Sequence, residues 1–243
     1  MSDPRIVDLS YPISSDMLVY PGMERPVLRW LKRVNADGAN LTRFEMTAHS
    51  GTHVDAPTHF VDGGVSIDEV PLGRLFGTAY LFRYSKEPAG QVIGLTELLD
   101  AGFDLPEGAI FVLHTGIEDY AGTRAFNERF PNPGDDLLSW LVSKKIKAYM
   151  TDAPAIDPVN TRDSGNHHLI LGEGIPIVEN LCNLAQLPDD RGFVICALPI
   201  KLAGREGSPC RAVALPEVAH LGPLTMEQTV SVGNRKKNLR RAL

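Results

Sequence analysis

Hydrophobic and polar positions alternate or cluster in short runs along this chain, and the runs are separated by Gly and Pro. Leu41-Thr-Arg-Phe-Glu-Met-Thr47 alternates and is rich in strand formers, so it is expected to form a strand. Thr78-Ala-Tyr-Leu-Phe82, Ala109-Ile-Phe-Val-Leu113 and Phe193-Val-Ile-Cys-Ala-Leu198 are continuously apolar, the pattern of strands buried on both faces. Helical periodicity is scarcer. Thr96–Ala101 is a short candidate that stops at Gly102. Asp135–Lys145 is the best one, with Leu137, Leu138, Leu141 and Val142 on one face. Acids open that segment and lysines close it, which suits the helix dipole. A strand at Ala148–Thr151 follows directly, so at least one α/β unit is expected. No internal repeat or low-complexity linker interrupts the pattern, and residues 1–243 read as a single domain with a basic tail at about 233–243.

Composition narrows the class. A chain of 243 residues can bury a substantial core without disulfides. Its formal net charge of −6 argues against nucleic acid as a partner. The basic cluster Arg235-Lys-Lys-Asn-Leu-Arg-Arg241 reads as a solvated terminus. Cys182, Cys196 and Cys210 are odd in number and form no CxxC pair, which fits a reducing cytoplasm. Cys196 reads as a small core residue and Cys210 as an inert one. The start of the chain lacks the basic and apolar blocks of a signal peptide, and no apolar run is long enough to span a bilayer. The expectation is a cytoplasmic protein with no membrane partner.

The candidate chemistry lies in His49-Ser-Gly-Thr-His-Val-Asp-Ala-Pro-Thr-His59. Three histidines and an aspartate within eleven residues form a mixed nitrogen and oxygen donor set suited to Zn(II) or Mn(II). A straight strand rises about 3.3 Å per residue, which would put His49 and His53 roughly 13 Å apart. A helix would bring those two together but would be opposed by Pro57. A strand end followed by a turn at Gly51 is therefore expected, with Pro57 stiffening the stretch that presents His59. Downstream, Asp157, Asn166-His-His168 and Glu179 form a second polar cluster, in which His167 and Glu179 could complete a metal site.

At these residues the sequence resembles the cyclase family, which includes bacterial kynurenine formamidase and isatin hydrolase. The matching stretches run from Asp8-Leu-Ser-Tyr-Pro12 through Val19-Tyr-Pro-Gly22, His49–Phe60, Thr115-Gly116, Thr151-Asp-Ala-Pro154 and His167–Glu179 to Gly207-Ser-Pro-Cys-Arg211. The resemblance implies an α/β fold, a mixed β/β/α swivelling domain with a largely buried sheet core and few helices. It also implies a homo-oligomer, a dimer or tetramer. It assigns His49, His53, Asp55, His167 and Glu179 to one or two divalent ions, with Asp55 shared, and His59 to acid/base catalysis. Tyr11 stands where many relatives carry histidine, and Tyr20 where the kynurenine formamidases carry tryptophan. Tyr20 and Phe60 are expected to contact a small-molecule substrate. His114 is read either as a further substrate contact or as a satisfied histidine at a strand end.

The expected activity is hydrolysis of an amide or ester by metal-activated water, with a histidine moving the proton. The bond could belong to a cyclic amide, a lactone, or an aryl formamide such as N-formylkynurenine. The alternative is a non-catalytic metal or small-molecule binding protein on the same fold, which a closed metal shell would favour. No GxSxG nucleophile elbow is present, which argues against serine-hydrolase chemistry.

Overall fold

The structure is a computed structural model and describes residues 5–159 and 161–220. The basic tail and its solvated reading lie outside the described residues. The chain begins with β1 (Val7–Asp8), then β2 (Val27–Lys32) and β3 (Leu41–Glu45), which are joined through the single turn α1 (Val34–Asp37). Next come β4 (His53–Asp55), α2 (Leu72–Leu75), β5 (Phe76–Arg83), β6 (Val92–Ile93), α3 (Leu95–Asp100) and β7 (Ile110–His114). α4 (Arg124–Glu128), β8 (Asn132–Pro133), α5 (Asp135–Ser143), β9 (Tyr149–Thr151) and α6 (Gly165–Gly172) follow. β10 (Ile177–Glu179), β11 (Phe193–Pro199) and β12 (Gly207–Leu215) complete the order.

Eight strands form one sheet in the order β1-β12-β11-β5-β7-β9-β10-β4. Because β4 pairs with β12 as well as with β10, the sheet closes into a barrel. β5, β7, β9 and β10 run parallel, and α3, α5 and α6 lie in the connections between them. Parallel neighbours need such crossovers, which explains why the three longest helices sit in this part of the chain. The remaining pairings in the barrel are antiparallel.

The apolar runs are continuous because both sheet faces are covered. Leu81, Ile110, Val112, Met150, Val178 and Ile195 fill the barrel interior. Their alternating neighbours Phe82, Phe111, Leu113 and Tyr149 point outward against Leu98 of α3, Leu137, Leu138 and Leu141 of α5, and Ile170 of α6. The fold is thus the expected mixed α/β class with few helices and a sheet core.

Three local expectations change. Leu41–Glu45 is a strand, but it pairs with β2 in a separate two-stranded sheet rather than joining the barrel. In the histidine segment the turn comes first, over Ala48–Thr52, and the strand and a single 3-10 turn (Pro57–His59) follow. Cys196 is half-buried rather than core, because its alternating neighbours Ile195 and Ala197 take the inward positions on β11. Burial pushes the Cys210 thiol up to about 12, which holds it in the unreactive form.

Candidate active site

Strand alternation sets the site's foundation. Val54 and Val178 point into the barrel. His53 and Asp55 on β4 therefore face the opposite way, as does Glu179 on β10. Glu179 and His53 are register partners across the two strands, as are Ile177 and Asp55. Close packing then brings the flanking loops in. Gly51 turns the chain ahead of β4 at φ +65°, a conformation favoured by glycine. Gly207 on β12 leaves room for His49: a Cβ there would lie 2.9 Å from the His49 ring. Pro57 opens the 3-10 turn that carries His59, consistent with its fixed φ. α6 packs against that turn and brings His167 in from the other side.

His49, His53, Asp55, His59, Phe60, Tyr20, His167 and Glu179 thus line one cavity of about 260 Å³. Of the side chains that the sequence singled out for metal, catalysis or substrate contact, all but His114 line it. His168 is exposed, and it meets Phe60 edge-on. His114 does not line the cavity. Its Nε2 lies 3.0 Å from Glu118, and Arg83 bonds its other ring nitrogen, so it is a satisfied histidine at a strand end.

The distances suit a cation. His53 Nε2 stands 3.3 Å from Asp55 Oδ1 and 3.5 Å from Glu179 Oε2. His167 Nε2 stands 3.3 Å from Glu179 Oε1 and 3.6 Å from Asp55 Oδ2. Bonds of about 2.1 Å in a tetrahedral site give donor-to-donor edges of about 3.4 Å. Among the described residues, five buried side-chain atoms have no hydrogen-bond partner, and three of them, His49 Nε2, Asp55 Oδ2 and Glu179 Oε1, lie in this site. Unpaired buried polar atoms are costly, and an ion would satisfy them. Two overlapping donor sets are present, His49–Asp55–His59 and His53–Asp55–Glu179, with Asp55 common to both.

Outer contacts fix the rings. His53 Nδ1 donates to the Gly51 carbonyl (2.9 Å), which leaves Nε2 facing the carboxylates. His167 Nδ1 donates to Asp157, with the same result. His49 Nδ1 donates to Asp55 Oδ1 (2.7 Å). Asp157 is the member of this arrangement to which sequence reasoning gave no role. The signal available was a carboxylate ten residues before His167, in the same polar cluster.

Electrostatics separates the histidines. Burial opposes charge on His53, but Asp55 and Glu179 outweigh it and raise its pKa to about 9. Burial is likewise overcome at His167, where Asp157, Asp55 and Glu179 raise the pKa to about 12. His59 goes the other way: burial, with His49 and His167 nearby, lowers it to about 4. Its ring is therefore uncharged at pH 7. Burial also works against the charge on Asp55, yet the surrounding histidines hold its carboxyl well below the usual range. Burial and the Asp55 charge raise Glu179.

Comparison with known proteins agrees with this chemistry. A family model described as "Putative cyclase" matches residues 7–158. The kynurenine formamidase of Bacillus mycoides (strain KBAB4) is 29% identical over 219 residues, covering 89% of this chain and 100% of that protein. The kynurenine formamidase of Bacillus cereus (strain ATCC 14579) is 30% identical over 213 residues, covering 86% and 97%. Among solved structures, isatin hydrolase A from Labrenzia aggregata superposes with a TM-score of 0.79 at 25% identity, covering 89% of this chain and 94% of that one. A "predicted metal-dependent hydrolase" from Bacillus stearothermophilus gives a TM-score of 0.71 at 26% identity, covering 86% and 97%.

Fold, site and relatives together define an amide hydrolase that works with a divalent metal. The chain belongs to the cyclase family. The reading as a non-catalytic binding protein is not favoured by these relatives.

Proposed function

We propose that this chain hydrolyses an aryl formamide such as N-formylkynurenine, or a cyclic amide or lactone, with His59 as the acid/base. The observation that carries the reading is the almost fully buried Asp55 carboxylate, ringed by His49, His53 and His167 beside unpartnered buried donor atoms. His49, His53, Asp55, His167 and Glu179 would hold Zn(II) or Mn(II), as one or two ions.

When bound, the ion polarises a carbonyl and acidifies a water. The chain's own residues do the rest. His59, neutral at pH 7, takes a proton from the attacking water and returns it to the leaving nitrogen or oxygen. Asp157 keeps His167 in one tautomer. Phe60, stacked on His167 at 4.6 Å, and Tyr20 provide walls for a flat substrate. The proposal treats the chain as one catalytic domain of a cytoplasmic homo-oligomer, a dimer or tetramer. Among the described residues, no helix is long and apolar enough to cross a membrane.

One observation favours a second assignment for His59. Its ring stacks on His49 at 4.1 Å, and it shares a close donor set with His49 and Asp55, so it could itself be a ligand. Metal per chain in His59→Ala separates the two: unchanged content supports acid/base work, and loss of an ion supports ligation. The substrate reading is tested by assaying N-formylkynurenine, isatin and simple lactones side by side on metal-loaded protein. Failure of the whole panel at full metal occupancy would overturn it.

A further inference from the structure

Among the described residues, four that are not glycine adopt the left-handed backbone conformation: Lys145, Ser164, Asn180 and Asn183. That conformation is costly for a residue with a Cβ, and it persists where the surroundings enforce it. Two of the four have side chains with partners. Lys145 pairs with Glu107 at the surface, and Asn183 Nδ2 donates to the Asp8 carbonyl. The other two, Ser164 and Asn180, line the active-site cavity. Neither of their side chains makes a hydrogen bond among the described residues.

Asn180 directly follows Glu179, at the end of β10. Its N–H donates to the Ala153 carbonyl (3.0 Å), and its carbonyl accepts from the Thr52 hydroxyl (2.5 Å). The backbone is thus pinned from both sides, and the side-chain amide is left over, half-buried at the cavity wall. Ser164 stands immediately ahead of α6, the helix that brings in His167. A serine there normally caps the helix by accepting from its second or third backbone N–H. At φ +46° Ser164 makes no such bond, and Asp157 Oδ1 takes the Asn166 N–H instead (2.8 Å). The hydroxyl is thereby free for the cavity. The rest of the lining limits what the two side chains can meet. Asp55, Asp157 and Glu179 are carboxylates, and among the described residues no lysine or arginine lines the cavity. A second anionic group on the substrate would face these acids with no basic side chain to offset it. A neutral carbonyl oxygen suits the lining, since it accepts from an amide N–H and from a hydroxyl alike.

We infer that Asn180 and Ser164 select the substrate by hydrogen-bonding a neutral carbonyl oxygen that it carries beside the bond to be cleaved. The inference rests on the hydrolase reading above and narrows its substrate class, to an aryl or cyclic amide with a ketone next to the scissile group.

Glycine substitutions separate this role from a backbone role, because glycine takes a positive φ readily. Asn180→Gly and Ser164→Gly should unfold near the wild-type temperature and keep the wild-type metal per chain. Steady-state kinetics on metal-loaded protein then compares two pairs of compounds. One is 2-formamidoacetophenone against formanilide, which lacks the ketone-bearing group. The other is isatin against oxindole, which lacks the ketone. On the ketone-bearing member of whichever pair wild type hydrolyses, each variant should lose about 10- to 100-fold in kcat/KM. On the ketone-free member the change should stay within about twofold, since no hydrogen bond is lost there. No loss on the ketone-bearing member, or an equal loss on both, would overturn the inference and leave the hydrolase reading standing. So would a variant that loses its metal, which would place the side chain in support of the ion. A metal-loaded wild type inert toward all four compounds would overturn the substrate reading itself, and the role of Asn180 and Ser164 with it.

Discussion

At the residue scale, the histidines of one short segment differ in charge state because they differ in neighbours. His53 lies between two carboxylates, whereas His59 is buried beside other rings. His53→Ala should therefore lose metal and turnover together. His59→Ala should keep its metal and lose about 10²- to 10⁴-fold in kcat, the usual worth of a positioned acid/base. Full activity in His59→Ala would sink the proton-relay role. Asp157→Asn keeps the shape but weakens the grip on His167, and should cost about 10- to 100-fold in metal affinity, read by calorimetry. An unchanged affinity would show that Asp157 does not position that ring. The donor types that meet in the cavity were legible in the sequence, because three histidines and an aspartate fall within eleven residues. Asp157 stayed unassigned, since a partner to one ring nitrogen is visible only once the loop and α6 are folded together.

At the element scale, β4 and β10 do most of the positioning. Two-residue periodicity sends Val54 and Val178 inward and His53, Asp55 and Glu179 to the site. The continuous apolar runs forecast β5, β7 and β11 within a residue or two, since burial on both faces leaves that mark. Asp135–Ser143 was equally legible from its apolar face. The short strands β4 and β10 were not, since their few residues include His53, Asp55 and Glu179, which interrupt any apolar run. The order of turn and strand around Gly51 also came out reversed, because spacing alone fixes that a bend exists and not its side. α5 seals the outer sheet face, so Leu138→Ala should cost about 2–5 kcal/mol of stability in denaturant unfolding while metal content per folded chain stays unchanged. A neutral substitution would mean that α5 is not holding that face.

At the scale of the whole molecule, the barrel core and the site are separate structures sharing two strands. The barrel interior is filled by apolar side chains from its strands, and His53, Asp55 and Glu179 face away from it, so removing metal should stop turnover without unfolding the chain. Circular dichroism with a chelator checks this, and collapse of the fold would point to a structural ion instead. The pH dependence follows from the two raised histidines. His53 and His167 have folded pKa values of about 9 and about 12, above the ordinary 6.5. In the metal-free protein their protonated forms stabilise the fold fully below pH 6.5, and that contribution declines as pH rises through 9 and then 12. An entering ion must displace those protons, so metal affinity should rise between pH 6 and 8, by up to about tenfold per unit for each proton released. A flat affinity over that range would contradict the charge states described for these rings.

The account rests most on the metal-dependent opening of an amide bond at this cavity. The direct measurement is hydrolysis of N-formylkynurenine and isatin by the purified chain as isolated, after chelation, and after Zn(II) or Mn(II) is returned. The account predicts turnover that vanishes with the metal and returns with it while the protein remains folded throughout. Undiminished hydrolysis by the fully chelated protein would contradict it.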